Sequence, residues 1–292
     1  MTIPFFLVDA FAERPFAGNP AGVCVLTGSA PAQWMQAVAQ EVGASETAFV
    51  INPTADTPQL RWFTPTDEVD LCGHATLAAA HALRSYEAEQ NDSAREAVSF
   101  KTASGTLTAH YTADSAIRLD FPADDPEPAK PPGGLIEVCD IPSPEWVGRS
   151  DRDWLLHLRD AADVKAAQPN MEALARFDTR GVIITAASPA EAPSDFVSRF
   201  FAPRVGVPED PVTGSAHCAL GPYWADRLGQ THLTGYQASR RGGTVGIHLP
   251  EPAPGEEARV HLQGQCCTMV EGTWAAGPAT SPDAEARRSP NL

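Results

Sequence analysis

The stretch EDPVTGSAHCAL at residues 209–220 decides how this chain is built, because a similar stretch, EVDLCGHATLAA, occurs at residues 68–79. In both stretches, acidic residues and a glycine are followed by a histidine or a small polar residue and then by an alanine-rich run. A glycine before such a run predicts a tight junction between a strand and a helix. The sequence therefore builds the same strand–glycine–helix junction twice.

Two further pairs of similar stretches follow the same order along the chain. RWFTP at 61–65 corresponds to RFFAP at 199–203, an offset of 138 residues. SGTLTAH at 104–110 corresponds to GGTVGIH at 242–248, again at 138 residues. A repeat of this length indicates two copies of one domain rather than a solenoid of small units. We expect the copies to pack so that the two glycine junctions meet in the cleft between them.

The boundary between the two copies is predicted from composition. The segment DDPEPAKPPGG, within 122–134, is rich in proline and acidic residues, which is typical of a linker between domains. We therefore expect an N-terminal domain over 1–124 and a C-terminal domain over 125–275. The tail over 276–292 has little apolar surface to bury and is predicted to be disordered.

The overall composition excludes several classes of function. The chain has 292 residues, of which 43% are hydrophobic and 20% charged, as in an ordinary globular protein. Its net charge of −16 argues against nucleic acid or an anionic membrane as a partner. No apolar run approaches the roughly 18 residues of a membrane helix, and no basic region of a signal peptide precedes the first apolar stretch. Six cysteines without a CxxC motif predict neither a disulfide scaffold nor a metal site, so we expect a cytoplasmic, metal-free protein.

The two junctions also suggest a chemistry. The N-terminus of a helix presents unpaired N–H groups and a partial positive charge, which favour a carboxylate or a developing enolate. Gly73 and Gly214 would let such a ligand approach the backbone. His74, Asp210 and Ser215 lie beside them. Each of these residues also has a purely structural interpretation, as a turn residue or a helix cap.

Four motifs give the sequence a resemblance to a known family. FAGNPAGV at 16–23, ASETAFV at 44–50, DLCGHATLAAA at 70–80 and the stretch at 209–220 resemble the phenazine-biosynthesis isomerase family (PhzF-like), in order over about 1–275. That family is related in fold to diaminopimelate epimerase. The resemblance implies an α+β fold of two pseudo-symmetric domains, each a mostly antiparallel sheet rolled around a central helix. It further implies helices starting at Ala75 and Ala216, a last strand near 266–274 that crosses back to the first domain, and a homodimer.

The resemblance also assigns roles to individual residues. It implies cofactor-independent proton transfer on a small carboxylic acid, with Glu46 as the acid and base and with His74 and Asp210 as further catalytic residues. It implies a substrate-binding role for Gly73, Gly214, Ser215, Ser45 and Asn19. Burial at the cleft would raise the pKa of Glu46, and the start of a helix would lower the pKa of His74.

One departure from the epimerase branch limits the choice of mechanism. That branch uses one cysteine at each junction, whereas this sequence has Cys72 at the first and Thr213 at the second. Racemisation by a pair of thiols is therefore not supported. Two alternatives remain open on the residues alone: an epimerase or racemase of an amino or hydroxy acid, and a non-catalytic protein that binds a small molecule on the same fold.

Overall fold

The computed structural model describes residues 2–90, 95–253, 255–275 and 277–278. The predicted disordered tail over 276–292 lies outside the described residues, apart from 277 and 278. Within the described ranges, no helix is long and apolar enough to cross a membrane.

The chain forms eighteen strands and six α-helices in these residues. The strands before the predicted linker are β1 (Ile3–Ala10), β2 (Asn19–Leu26), β3 (Glu46–Ile51), β4 (Gln59–Phe63), β5 (Glu68–Val69), β6 (Ala97–Thr102), β7 (Gly105–Tyr111) and β8 (Ile117–Pro122). The later strands are β9 (Glu127–Pro128), β10 (Trp146–Arg149), β11 (Asp153–His157), β12 (Gly181–Ala187), β13 (Phe196–Ala202), β14 (Val207–Asp210), β15 (His232–Gln237), β16 (Gly243–His248), β17 (Arg259–Gly264) and β18 (Cys266–Trp274). The helices are α1 (Ala32–Val42), α2 (Gly73–Glu89), α3 (Leu135–Val138), α4 (Ala161–Ala166), α5 (Met171–Leu174) and α6 (Gly214–Leu228).

The strands pair in the same order on either side of the predicted linker. In the first half, β1–β8, the pairs β2–β3 and β4–β6 are parallel, while β1–β2, β3–β4, β6–β7 and β7–β8 are antiparallel. In the second half, β9–β17, the pairs β11–β12 and β13–β15 are parallel, while β10–β11, β12–β13, β15–β16 and β16–β17 are antiparallel. This mixed sheet with its helices confirms the predicted α+β class.

Hydrogen bonds between strands also join the two halves. β8 lies antiparallel to β17, from Ile117 opposite Gly264 to Pro122 opposite Arg259. The last strand, β18, lies antiparallel to β1 at the start of the chain. The sheet is therefore continuous across the predicted linker.

The long helices α2 and α6 are packed against strands of their own halves. α2 contacts β1, β2, β3 and β8, and α6 contacts β15, β16 and β17. The small side chains of Ala75, Ala78 and Ala79 are fully buried, which lets the strands approach α2 closely. The alanine-rich composition of the run is thus a consequence of its position in the core.

Both helices begin two residues earlier than predicted, at Gly73 and Gly214 instead of Ala75 and Ala216. The preceding residues, Cys72 and Thr213, have extended backbones with φ of −147° and −114°. The chain therefore turns from strand to helix directly at each glycine, so that the glycine itself belongs to the first turn.

A proline inside α6 creates a further link between the halves. Pro222 has no N–H to donate to the carbonyl of Cys218, four residues earlier. The backbone N–H of Asp124 donates to that carbonyl at 3.1 Å instead. The segment predicted as a linker is therefore fixed to the helix of the second half.

We expect Arg241 to be important for stability, because it neutralises a buried acid of the other half. Its Nη2 donates to Oδ1 of Asp9 at 2.6 Å, and Asp9 is only 2% exposed. Arg241→Ala should lower the free energy of unfolding by about 2–3 kcal/mol, the cost of a buried charged group left without its hydrogen bond. Chemical denaturation measures this change.

Arg176→Ala is the matched control, because Arg176 forms an exposed pair with Glu172 one helical turn away. Its loss should cost only about 0.3–0.5 kcal/mol. Equal effects of the two substitutions would contradict the structural role of the Arg241–Asp9 pair.

Candidate active site

The N-termini of α2 and α6 face each other. A Cβ built on Gly73 would lie 3.8 Å from the Cα of Gly214, so the two backbones are in near contact. Neither N-cap residue, Cys72 or Thr213, caps its helix with a side-chain hydrogen bond. The first N–H groups of two helices are therefore directed toward one place.

A cavity of about 340 Å³ opens at this meeting point. Seven of the eight predicted site residues line it, and its other lining residues include four charged side chains that the sequence analysis did not identify. The predicted lining residues are Ser45, Glu46, Gly73, His74, Asp210, Gly214 and Ser215, of which Gly73 and Gly214 contribute backbone. The additional charged residues are Asp124, Asp151, Arg152 and Arg180.

 The eighth predicted residue, Asn19, does not line the cavity and lies behind it.

Glu46 stands at the edge of the cavity because of the way β3 begins. α1 ends at Gly43, whose left-handed backbone (φ 65°) turns the chain, and Glu46 is the first residue of the strand that follows. Its carboxylate Oε2 lies 3.1 Å from Nε2 of His74, the second residue of α2. Both atoms are buried, and neither has an aligned hydrogen bond among the described residues. The pair is therefore held together by charge and faces the cavity with hydrogen-bonding capacity to spare.

The other ring nitrogen of His74 faces Asn19 and Cys72. The amide Nδ2 of Asn19 has two hydrogens and three acceptors in range: Oδ1 of Asp210 at 2.7 Å, the carbonyl of Val212 at 3.0 Å and Nδ1 of His74 at 3.2 Å. The two shorter contacts use both hydrogens. Nδ1 is then free to carry its own hydrogen toward Sγ of Cys72, 3.6 Å away. This arrangement suits a protonated imidazole, with one N–H toward the thiol and the other toward Glu46.

The electrostatics of the pair differ from the sequence-based expectation. Burial raises the pKa of Glu46, but the charge of His74 and the polar contacts with His74 and Cys72 together outweigh burial and hold the pKa of Glu46 below its ordinary value. Burial lowers the pKa of His74, but Cys72 and Glu46 together raise the pKa of His74 well above its ordinary value. Because burial also raises the pKa of Cys72, that thiol is neutral near pH 7, and Glu46 supplies the charge. The expected directions were wrong because each residue was considered without its partner.

Asp210 ends β14 on the opposite side of the junction. Its Oδ1 accepts from Asn19 at 2.7 Å, and its Oδ2 accepts from the hydroxyl of Thr213 at 2.6 Å. Burial raises the pKa of Asp210, although His74, Thr213 and Asn19 act in the other direction. Gln237 fixes Thr213 in turn by accepting from its backbone N–H at 2.9 Å. The carboxylate is thus oriented by a buried network.

Asn19 differs from its predicted role. It was expected to bind substrate, but it is 0% exposed, and its amide donates to Asp210 and to the carbonyl of Val212, with Nδ1 of His74 3.2 Å away. Ser45 donates to Oδ1 of Asn19 at 3.3 Å. Asn19 therefore connects the residues of the two halves from behind the cavity.

Arg180 is the main cavity residue that the sequence analysis missed. Its Nη1 donates to Oγ of Ser215 at 3.0 Å, its Nε donates to Asp153 at 2.9 Å, and its guanidinium lies 5.4 Å from the ring centre of Phe200. The repeat itself could have found it. Glu46 is the first residue of β3, and Gly181 is the first residue of β12. Arg180 therefore precedes its strand in the second half as Ser45 precedes its strand in the first.

Glu46, Cys72 and His74 bring three potential metal-ligand atoms within 4.8 Å of one another. Cys72 faces Nδ1 of His74, whereas Glu46 faces Nε2. The lone pairs of the two ring nitrogens point away from each other, so the three groups do not converge on one point. Their arrangement, with a thiol on one side of the imidazole and a carboxylate paired by charge on the other, does not fit a metal centre.

Comparisons with known proteins agree with this architecture. A family model described as phenazine biosynthesis-like protein (PhzC-PhzF) matches residues 8–272. An uncharacterised isomerase of Halalkalibacterium halodurans is 46% identical over 271 residues, covering 92% of this chain and 97% of that protein. The crystal structure of a PhzF-family protein of Enterococcus faecalis has a TM-score of 0.86 at 38% identity, covering 94% of this chain and 100% of that one.

The likeness in fold extends to epimerases. A hydroxyproline epimerase of Agrobacterium vitis has a TM-score of 0.57 at 11% identity, covering 93% of this chain and 92% of that one. At this identity the likeness concerns the fold alone.

The ion pair can be tested by replacing Glu46 and following the proton on His74. In the unaltered protein, His74 should stay protonated well above pH 6.5, the ordinary pKa of a histidine. In Glu46→Gln the charge is lost while burial remains, so the pKa of His74 should fall below its ordinary value. NMR titration of the histidine ring carbons measures both.

His217 provides an internal control in the same spectra. It is buried in α6, and burial lowers the pKa of His217 to about 4. Its titration should not respond to Glu46→Gln. An unchanged His74 pKa in the variant would mean that Glu46 does not control this histidine.

Proposed function

This chain belongs to the phenazine biosynthesis-like (PhzC-PhzF) family, and on that premise we propose that it is an isomerase that moves a proton within a small carboxylic acid. The proposed binding place is the cavity between the N-termini of α2 and α6, with Glu46 as the proton carrier. The observation that carries the proposal is the buried pair of Glu46 and His74 beside two uncapped helix N-termini.

The resting state of the pair suits Glu46 as a base. The positive charge of His74 holds the pKa of Glu46 low, so the carboxylate is free to accept a proton from a carbon of the substrate. The electrons of that C–H bond form a new C=C bond, and those of the existing C=C bond take up a proton at the far carbon. Oxidation state is conserved, and no cofactor is needed to balance the step.

The same pair also suits the return of the proton. Once protonated, Glu46 is neutral and no longer compensates the buried charge of His74. Because that loss of charge pairing disfavours the neutral carboxyl, Glu46 is a stronger acid than a buried carboxyl without a cationic neighbour. One residue can therefore remove the proton and deliver it to the second carbon.

The cavity also holds suitable partners for the carboxylate of the substrate. The free N–H groups of the first turns of α2 and α6 favour an anion, and glycine at each start leaves the backbone accessible. Arg180, already oriented by Asp153 and Ser215, adds a cation at the same cavity. We assign Asp210 to a polar group of the substrate, since its carboxylate is fixed by Asn19 and Thr213.

The second half offers no equivalent proton carrier. Gly181 stands where Glu46 stands in the first half, and a Cβ on Gly181 would lie 2.4 Å from the ring of Phe200. Thr213, the counterpart of Cys72, donates its hydroxyl to Asp210. A single carrier favours transfer between two carbons on one face of the substrate over racemisation, which needs a base on each face.

We also propose that the chain folds as two similar domains. The repeated order of strand pairings supports two pseudo-symmetric domains, 1–124 and 125–275, each rolled around a central helix, with the active site between them.

The family resemblance further suggests a homodimer. Light scattering should then give a mass twice the 31.0 kDa of the chain, and a monomer at micromolar concentration would contradict it.

The proton carrier is tested by Glu46→Gln. This substitution keeps size and hydrogen bonding but removes the exchangeable carboxyl proton, so turnover should fall by about 10²- to 10⁴-fold while ligand binding persists. The assay is incubation with a panel of small unsaturated and amino carboxylic acids in heavy water, followed by NMR of deuterium uptake. Deuterium at a new carbon with a shifted double bond indicates isomerisation, and deuterium at an unshifted stereocentre indicates epimerisation.

Glu41→Gln is the matched control, because Glu41 is exposed on α1 and should leave the exchange unchanged. Cys72→Ser separates the two chemistries. If Glu46→Gln kept its turnover while Cys72→Ser abolished it, a thiol would be the proton carrier and the proposal would be wrong. No exchange with any acid of the panel, together with binding, would favour a non-catalytic binding protein.

The pH dependence of turnover follows from the signs of the two shifts. The pKa of Glu46 is lowered, so activity should persist below its ordinary value of about 4.3 and be lost as pH falls further. The pKa of His74 is raised, so the charged partner should persist above about 6.5 and be lost only at higher pH. In His74→Gln, burial acts on Glu46 alone, and the acid limb of kcat/KM should move to higher pH. An unmoved acid limb would show that His74 does not set the pKa of the base.

A further inference from the structure

Three histidines form a row across the sheet of the second half, away from the cavity described above. His232 on β15 is directly opposite His248 on β16, and His248 is directly opposite His261 on β17. The next strand, β8, continues the row with Asp120 opposite His261. The register of four strands thus places three imidazoles and a carboxylate side by side.

The row lies on the face of the sheet that α6 does not cover. The neighbours in sequence, such as Leu233, Ile247 and Leu262, are buried in the core that contains α6. Since side chains alternate between the two faces of a strand, the histidines project from the other face. His248 and His261 are half-buried there, and His232 is exposed.

The ring nitrogens of the two inner histidines converge. Nδ1 of His248 and Nδ1 of His261 are 3.2 Å apart. Two imidazoles bound to one metal ion at about 2.0–2.1 Å have nitrogens roughly 2.9–3.4 Å apart for bond angles from square to tetrahedral. The observed separation lies within this interval, so an ion can be placed between them with little rearrangement.

The surroundings favour the protonation state that a metal ion requires. The carboxylate Oδ1 of Asp120 lies 3.8 Å from Nε2 of His261. The same oxygen accepts from Nε of Arg259 at 3.0 Å, and its negative charge favours the proton on Nε2 of His261, which leaves the lone pair on Nδ1.

There is also room for further ligands. A depression of about 250 Å³ lies beside the row, over Gly246, which has no side chain to fill it. His232, His248, His261, Gln263 and Arg118 border the depression. His232 stacks on His248 with ring centres 4.1 Å apart and so covers one side of that ring. The positive charge of Arg118 opposes the binding of a cation, but it is placed to pair with an anionic co-ligand of the metal.

We propose that His248 and His261 bind a divalent transition-metal ion of the imidazole-preferring class, such as Zn²⁺ or Cu²⁺, through their Nδ1 atoms. Water or an anion completes the shell in the depression, and Asp120 lies behind His261. This site is independent of the proposed isomerase function. The competing interpretation is a single proton shared between the two nitrogens, in which case no metal is required.

The test uses the untagged full chain carrying Cys72→Ser, which removes the thiol of the other group of potential ligands. Zn²⁺ affinity is measured by competition with a chromophoric chelator, and Cu²⁺ is added for electron paramagnetic resonance. We expect one ion per chain and nitrogen hyperfine splitting from at least two imidazoles. His248→Gln and His261→Gln should each abolish that spectrum, while Asp120→Asn should weaken Zn²⁺ binding by about 10- to 100-fold.

His110→Gln is the matched control, since His110 lies on β7 in the neighbouring row, opposite Arg118. It should bind as the parent does. The proposal is overturned if the parent binds neither ion at stoichiometric concentration, or if the double variant of His248 and His261 binds as tightly as the parent. Circular dichroism and thermal melting of each variant establish that it is folded, so that lost binding reports on the ligands.

Discussion

The near contact between Gly73 and Gly214 is the constraint on which the rest of the structure depends. Two helices can point their N-termini at one place only if their first residues approach each other closely and if strands hold both helices from behind. The alanine-rich faces of α2 and α6 meet the second condition, because small side chains let the strands pack closely. The positive ends of both helices are then concentrated in one cavity of an acidic protein, where an anion finds a favourable field.

The repeated backbone contrasts with the asymmetric chemistry built on it. Glu46 begins its strand where the second half has Gly181, and the space beside that glycine is filled by the ring of Phe200. The first half therefore contributes the pair of Glu46 and His74, and the second contributes Asp210 and Arg180. The two halves thus share an order of strand pairings but carry unlike groups at the corresponding strand starts.

Much of this arrangement could be predicted from the sequence, since it is written in local patterns. The glycine junctions, the two alanine-rich helices and the strands around Glu46 are visible as short motifs, and their repetition predicted where they would meet. The protonation states could not be predicted in this way. Glu46 and His74 are 28 positions apart, so their mutual charge is a property of the fold, and burial considered alone gave the wrong direction for each. The buried position of Asn19 and the row of histidines depend on strand register between distant segments, which no local pattern specifies.

The proline in α6 has a mechanical consequence. In a helix each carbonyl normally accepts a hydrogen bond from the N–H four residues later. Pro222 has no N–H to donate to the carbonyl of Cys218, which accepts instead from the N–H of Asp124, a residue that also borders the cavity. That bond acts as a latch between the segment entering the second half and the helix that forms one wall of the cavity. An opening of the cavity that moved this segment away from α6 would leave the carbonyl of Cys218 without this hydrogen bond. The bond therefore favours motions that pivot about Asp124 over motions that separate this segment from α6.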